Sequence, residues 1–244
     1  MPAHHDPDQD RQNPLQRIFG AVNDRYDLIN YFFTWGMDKT WRNALISDLL
    51  ALHPQKVLDV GCGTGELSVG IALNAPEDME ITGYDFSKSM LDKAVRKAQE
   101  RAPQKKIAFI HGEVARMPFP DALFDCITIA FALRNLLFQN PLAKTHLSEI
   151  YRTLKPGGNC LIVESSQPQN RLIRWFNHLY LRTCVYGIGA AISGNREAYR
   201  YLTQSAIHFH APEALERQFL AVGFRQFFFR PLFFGAAGIF RVLK

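Results

Sequence analysis

The residues of this 244-residue chain best suited to chemistry fall in three places. The first is "VLDVGCGTGE", Val57 to Glu66, where Gly61, Gly63 and Gly65 allow a tight turn and close backbone approach to a ligand. The second is "TGYDFSKSML", in which Asp85 falls 20 positions after Gly65. The third is "DCITIAFALRNLLFQNP", residues 125–141, where an apolar run that reads as a buried strand delivers Arg134 and Asn135 side by side at its end.

The glycine loop narrows the choice of cofactor. Its sixth position is Glu66, so the nicotinamide fingerprint GxGxxG is not matched. Asp59 stands two residues before Gly61, an anion beside the place where a dinucleotide puts its pyrophosphate, and like charges repel. S-adenosylmethionine brings a sulfonium and an ammonium instead, and a carboxylate suits both. Asp85, at the end of a second strand, can accept hydrogen bonds from both ribose hydroxyls. Its alternative is a cap on the following helix, with Ser87 competing for that role. Glu113, after a third strand, can face an adenine amino group or lie in a solvated loop. Thr64 in the loop, Val114 beside Glu113 and Ala130 near the end of the fourth strand complete the set expected to hold the cofactor.

These side chains need a frame. Short β-branched runs at Lys56–Val60, Glu80–Tyr84, Ile107–Ile110, Cys126–Ala132 and Cys160–Val163 alternate with helical stretches, which predicts a parallel sheet covered on both faces. "LQRIFGAVNDRYDLINYFF" and "DKTWRNALISDLLALH" carry apolar residues at helical spacing ahead of it. "EIYRTLKPGGNCLIVES" predicts a helix that stops at Lys155, turns through Pro156–Gly158 and feeds the fifth strand. "PEALERQFLAVGF" predicts a helix stopped at Gly223, followed by two antiparallel strands, "FRQFFFRPL" and "AAGIFRVLK".

Composition bounds the answer. With 47% hydrophobic and 21% charged residues the chain fits one large domain. A net charge of +5 favours anionic surfaces but lacks the Lys/Arg stripe of a nucleic-acid binder, so no nucleic-acid partner is expected. Cys62, Cys126, Cys160 and Cys184 have neither zinc nor disulfide spacing and read as reduced core thiols of a cytosolic protein. The acidic N-terminus, "MPAHHDPDQDRQNP", reads as a loose tail rather than a targeting segment. The stretch from Arg182 to Arg196 is shorter than the roughly 20 apolar residues of a spanning helix and is broken by glycines.

"LDVGCGTG", "MPFPDALFDCITIAFALRN" and "LKPGG" together resemble the class I S-adenosylmethionine-dependent methyltransferases, and more specifically the ubiquinone/menaquinone biosynthesis C-methyltransferases. The resemblance runs from about Phe19 to Gly238. "YDLINYFFTWGMDKTW" is similar to the family's first signature and keeps Tyr26, Asp27, Asn30 and Trp41. "TIAFALRN" holds its LRN tripeptide, "RTLKPGGNCLIVESS" resembles its second signature, and "EAYRYLTQSAIHF" its tyrosine-rich segment. The chain departs from the pattern at Ile29, Thr34 and Asp38, at "ESSQP" (Glu164 to Pro168) where the family has "EFSKP", and in its C-terminal "GAAGIFRVLK". These departures lie mostly on the substrate side.

The resemblance implies an α/β, Rossmann-like fold: a mostly parallel seven-stranded sheet with an antiparallel last strand, helices on both faces and an N-terminal helical cap. One methyltransferase domain is expected, made of a flexible tail (1–13), the cap (14–53), a cofactor-binding core (54–165), a helical substrate-side insertion (166–212) and a last helix with its strand pair (213–244). It implies methylation of a ring carbon of a prenylated quinol, a demethylmenaquinol or a benzoquinol, with S-adenosylmethionine as cofactor and no metal. Arg134 is then expected to stabilise a phenolate or order a proton-accepting water, Asn135 to position an oxygen, and Tyr26 to hydrogen-bond the substrate. The alternatives are a structural ion pair to an acidic helix residue for Arg134 and a helix cap for Asn135.

"NRLIRWFNHLYLRTCVYGIGAAIS" reads as a core-packing helix with a solvated face, or as a greasy cover for a prenyl tail with arginines meeting lipid phosphates. Tyr199 and Tyr201 line the substrate pocket or simply pack, and His178 and His208 receive no catalytic role. The protein is expected in the cytoplasm, free or peripheral at the inner face of the cell membrane with transient contact to its surface, as a monomer or a homodimer. Competing readings are O- or N-methylation of another lipophilic molecule and a non-catalytic cofactor-binding scaffold in a quinone-biosynthesis complex. RNA methylation is a distant further one.

Overall fold

The computed structural model describes residues 34, 36–188 and 196–244. The expected first helix and Tyr26 therefore lie outside the described residues. The elements in chain order are α1 (Asp38–Leu50), β1 (Lys56–Val60), α2 (Glu66–Asn74), β2 (Glu80–Asp85), α3 (Lys88–Arg101), β3 (Ile107–His111), β4 (Phe124–Ala130), α4 (Leu133–Leu137), α5 (Ala143–Thr153) and β5 (Leu154–Ser165). There follow α6 (Arg171–Tyr180), a π-helical stretch (Leu181–Ile188), α7 (Arg196–Ile207), α8 (Pro212–Ala221), β6 (Gln226–Leu232) and β7 (Ala237–Leu243).

The strands form one sheet in the order β3-β2-β1-β4-β5-β7-β6. The pairs from β3 across to β5 are parallel, and β7 runs antiparallel to both β5 and β6. β1 and β4 read as continuous apolar runs because both their faces are covered. On one face Leu58, Ile127, Ile129, Cys160 and Ile162 pack with Leu147 and Ile150 of α5 and Phe219 of α8. On the other, Val57, Cys126, Leu161 and Val163 pack with Trp41, Leu45 and Leu49 of α1 and Leu67 and Ile71 of α2. The α6–α7 segment keeps a small core of its own, Leu181, Val185, Tyr199, Leu202, Ala206 and Ile207.

Several strands run one to six residues beyond their expected ends, and three differences have an identifiable cause. β4 ends at Ala130 rather than Ala132, because Phe131 sits at φ +58° and turns its ring into the core beside Trp41, ring centroids 6.4 Å apart. α5 stops at Thr153 rather than Lys155, and Leu154 already pairs with Phe124. The Pro156–Gly158 turn is instead a bulge inside β5: Gly157, at φ +76°, donates its N–H to the Lys244 carbonyl, and Lys244 returns one to Gly158. Gly223, at φ +114°, does close α8 as expected, with Phe224 N–H reaching the Phe219 carbonyl. Cys62, Cys126 and Cys160 are buried as expected, but Cys184 is exposed on the π-helical stretch. No helix among the described residues is long and apolar enough to cross a membrane.

Candidate functional site

In a doubly wound sheet the loops beyond the carboxyl ends of the strands carry the chemistry. Here that edge gathers the glycine loop after β1, Asp85 ending β2, Glu113 after β3, Phe131–Asn135 after β4 and Glu164–Gln167 at the end of β5.

The glycine loop is built as its composition demands. Gly61, Gly63 and Gly65 lie at φ +68°, +53° and +78°, a region that strains any residue with a Cβ. At Gly61 a Cβ would meet the Ala132 Cβ at 2.5 Å, and at Gly65 the Ala94 Cβ at 2.9 Å, so these two glycines let the loop pack against its neighbours. At Gly63 a Cβ would find only the Met90 sulfur, at 3.7 Å. The crest of the loop is therefore open to a ligand while its two feet are closely packed. Thr64 is buried in the loop and accepts from Lys97 Nζ at 3.2 Å, and Lys97 pairs with Glu66 at 2.5 Å.

Asp85 ties this loop to the next. Its carboxylate accepts the Gly63 N–H and the Ser87 N–H, each at 2.8 Å, so it sets the loop crest and also closes the turn into α3. Ser87 occupies the cap position of α3 without a side-chain cap bond. Each Asp85 oxygen has spent one lone pair, and capacity for two ribose hydroxyls remains. Burial holds this carboxyl above its usual range, against the two backbone hydrogen bonds. Asp59 lies deeper: its two oxygens accept from Ser68 Oγ at 2.5 Å and Thr128 Oγ1 at 3.2 Å, so it clasps α2 to β4. Burial pushes its carboxyl up to about 7, the hydrogen bonds from Ser68 and Thr128 opposing.

Glu113 is exposed and its carbonyl accepts the Tyr84 hydroxyl at 3.1 Å, while Val114 is buried in the core beneath it. Ala130 is half-buried, paired with Val163. The crest, Asp85, Glu113 and Ala130 thus line one edge. An open glycine crest with an anion beside it fits a ligand that carries a ribose and positive charge, as S-adenosylmethionine does.

Arg134 and Asn135 do not continue the strand; they form the first turn of α4, whose cap position is Ala132. Arg134 is 4% exposed. Its Nη1 donates to Ser165 Oγ at 2.9 Å, and Ser165 Oγ donates in turn to Glu164 Oε1 at 2.9 Å, with Nη1 and Oε1 3.8 Å apart. Glu164, fully buried, also accepts the backbone N–H of Arg134 at 3.1 Å and of Ser165 at 2.8 Å. The alternative of an ion pair is therefore realised, with a strand residue rather than a helix residue as partner. Asn135 is not a helix cap; its Oδ1 accepts the Tyr201 hydroxyl from α7 at 3.4 Å. Burial raises the Tyr201 phenol, Arg134 and Glu164 acting on it from opposite directions.

Beside this cluster opens a cavity lined by Trp41, Phe131, Ser165, Ser166, Asn177, Leu181, Ala206, Phe233, Ala236 and Ala237. Its wall is apolar except for Ser165, Ser166 and Asn177. The Ser166 hydroxyl is 2% exposed as a residue and has no hydrogen-bond partner among the described residues. A buried hydroxyl left unmatched costs about 1–3 kcal/mol, so a water or a polar atom of a ligand at the cavity wall would complete it. Gln167 anchors the end of α7, whose Ala206 lines the cavity: its amide donates to the carbonyls of Ala206 (2.7 Å) and Ile207 (3.1 Å), and its oxygen meets His178 Nε2 at 3.0 Å.

Sequence reasoning missed Ser165, Ser166, Gln167 and Trp41 as site residues. The signal for Ser165, Ser166 and Gln167 was the "ESSQP" stretch at the end of β5, noticed as a departure but given no role; Trp41 was noticed only as a residue the first signature keeps.

A family model described as the ubiE/COQ5 methyltransferase family matches residues 7–244. A demethylmenaquinone methyltransferase of Deinococcus radiodurans is 39% identical, over 95% of this chain and 92% of that one. Another with the same name, from Thermotoga maritima, is 36% identical over 92% of this chain and 93% of its own. Among solved structures, a Thermotoga maritima S-adenosylmethionine-dependent methyltransferase, described as a possible histamine N-methyltransferase, superposes with a TM-score of 0.59 at 17% identity. It covers 93% of this chain and 99% of that one, a likeness of fold.

Proposed function

The chain belongs to the ubiE/COQ5 methyltransferase family and is an S-adenosylmethionine-dependent methyltransferase, and from that premise we propose that it methylates a ring carbon of a demethylmenaquinol, a naphthoquinol with a prenyl tail. The observation that carries the substrate is the name and near-complete overlap of the Deinococcus relative. In keeping with it, Trp41, Phe131 and Phe233 present aromatic surface to the cavity for a flat ring, and the Ser166 hydroxyl lies on the same wall for a quinol oxygen.

The bound cofactor supplies the electrophilic methyl group. The chain's own residues then have two tasks. One is to hold the ligand's ribose and charge: the backbone of Gly61–Gly65 cradles it, Asp85 accepts from its hydroxyls, Thr64, Val114 and Ala130 shape the wall, and Glu113 meets the adenine. Asp59 holds α2 to β4 behind the loop through Ser68 and Thr128. The other task is to make a ring carbon nucleophilic. A quinol hydroxyl that loses its proton spreads negative charge onto the adjacent ring carbon, and donors that favour the phenolate lower the barrier.

Arg134 supplies a fixed positive charge for this purpose. It does not act as the base, because a guanidinium does not give up its proton in this pH range. Asn135, oriented by Tyr201, presents its amide N–H to the quinol oxygen; a role for Tyr26, outside the described residues, rests on the family resemblance alone. The reaction belongs to the cytoplasm, at the surface of the bilayer that holds the prenyl tail.

The test is incubation with methyl-labelled S-adenosylmethionine and a panel of reduced demethylated naphthoquinols and benzoquinols. Label on the naphthoquinol ring carbon is expected. Label on a headgroup oxygen, or transfer confined to benzoquinols, would overturn the reading.

A further inference from the structure

α6 is amphipathic in an unusual sense, since its apolar side faces outward. Leu172, Trp175, Phe176 and Leu179, at i, i+3, i+4 and i+7, form one stripe and are 64%, 57%, 57% and 42% exposed. A soluble protein rarely presents four large apolar side chains together on one helix face. The inner side of the same helix does the ordinary work, with Asn177, and Leu181 just beyond it, on the cavity wall. The turn carrying Phe234, itself 76% exposed, packs against Pro168 just ahead of α6.

The flank of the stripe is positive. From Ser166 to Phe209 the chain has five arginines and one acidic residue, Glu197. Between the π-helical stretch and α7 lies a cleft lined by Arg182, Tyr186, Arg200, Thr203, Gln204 and His208. Neither Arg182 nor Arg200 has an ion-pair or hydrogen-bond partner among the described residues. The positive field reaches His178, held below its usual range by burial and then by Arg182, Arg174 and His208. Large apolar side chains bordered by exposed arginines are the complement of a bilayer surface, whose interior is apolar and whose rim is phosphate.

We propose that the outer face of α6 docks the protein on a bilayer containing anionic phospholipid, with Leu172, Trp175, Phe176 and Leu179 entering the headgroup–acyl boundary and Arg182, Arg200 and His208 taking a lipid phosphate. The proposal rests on the quinol reading for its purpose: it sets the cavity behind the helix that meets the membrane, so a lipid-tailed substrate passes from bilayer to cavity across one helix width.

Flotation of the intact protein on phosphatidylcholine vesicles, with and without phosphatidylglycerol, tests it. Partition is expected to be at least about tenfold stronger with the anionic lipid and to weaken with salt. Trp175→Ser with Phe176→Ser should reduce it about tenfold or more on both vesicle types. Arg182→Gln with Arg200→Gln should remove the phosphatidylglycerol increment and its salt dependence. Both pairs are exposed, so unchanged thermal unfolding is the control for folding. Absence of partition, or partition indifferent to Trp175→Ser/Phe176→Ser, would overturn the proposal. So would a concentration-dependent dimer in ultracentrifugation that this variant dissolves, which assigns the face to a second copy. Methyl transfer to a tail-less demethylnaphthoquinol in solution should be unchanged in Trp175→Ser/Phe176→Ser. If the wild type methylates no quinol while the vesicle results stand, the functional reading fails and the docking surface survives.

Discussion

The structural role of Arg134 toward Glu164 and the chemical role proposed for it toward the substrate are separated by a pair of substitutions. At the 3.8 Å between Nη1 and Oε1, Coulomb attraction at an effective dielectric of 20 is about 4 kcal/mol. Removing one partner of such a buried pair costs about 3–5 kcal/mol, because the remaining charge has no compensation. Arg134→Met leaves Glu164, 0% exposed, with only the N–H groups and hydroxyl of its neighbours. At roughly 2–4 °C per kcal/mol for a chain of this size, the unfolding midpoint should fall by about 6–20 °C. Arg134→Met with Glu164→Gln removes both charges and should recover most of that loss. Turnover separates from stability at this point: if Arg134 stabilises a phenolate, the double variant should remain slower by about 10²-fold or more, the usual cost of one such donor. The assay is labelled methyl transfer at saturating cofactor, run beside thermal unfolding. A double variant that is stable and turns over within about threefold of wild type refutes the chemical role and leaves a structural ion pair. An Arg134→Met variant as stable as wild type refutes the structural one.

Three further outcomes follow from the geometry. Gly61→Ala should destabilise strongly and abolish cofactor binding, because a Cβ meets Ala132 at 2.5 Å; Gly63→Ala, with only Met90 at 3.7 Å, should cost about 1–2 kcal/mol of backbone strain yet still weaken cofactor affinity, as unfolding and calorimetric titration will show. Asp59, with its carboxyl raised to about 7 from an ordinary 3.8, makes the folded state bind more protons than the unfolded one between those values, so stability should fall as pH rises from about 4 to 7 and level off above. Urea unfolding across that range should show a decline that Asp59→Asn flattens, by up to about 4 kcal/mol; parallel pH curves for the two proteins would contradict the assignment. Gln167→Ala should cost about 1–2 kcal/mol through the lost bonds to Ala206 and Ile207, and raise KM for the quinol more than it lowers kcat, since it loosens the cavity wall at α7 without touching Arg134; an equal fall in kcat with KM constant would place Gln167 elsewhere in the reaction.

The sheet was legible because its signal is local and redundant. Runs such as Lys56–Val60 and Ile107–Ile110 are mostly apolar and alternate with helical stretches, the pattern of a parallel sheet with helices between its strands. The glycine loop was legible for a similar reason: φ near +60° at alternate positions leaves almost no other residue type. The boundaries that shifted were set by tertiary contacts. Nothing in "TIAFALRN" says that Phe131 abandons the strand, since the cause is a ring pocket supplied by Trp41, ninety positions earlier. Nor does "LKPGG" announce a bulge, because its backbone partners come from Lys244 at the far end of the chain.

The same distinction explains the site. Arg134 and Asn135 drew notice as polar residues after an apolar run, but their partners, Glu164, Ser165 and Tyr201, lie 30, 31 and 66 positions away. "ESSQP" was visible as a departure, and only the fold shows that its serines and glutamine are arranged around one cavity: Ser165 relays Arg134 to Glu164, Ser166 faces the cavity, and Gln167 binds α7 behind it. The two departures, at Ser165 and Gln167, therefore alter charge and hydrogen bonding at this strand end together, while Gly61, Gly63, Gly65 and Asp85 keep contacts of their own. On the proposed reading, substitutions at Ser165 and Gln167 should change substrate choice while leaving cofactor binding intact, as calorimetric titration beside a quinol panel will show.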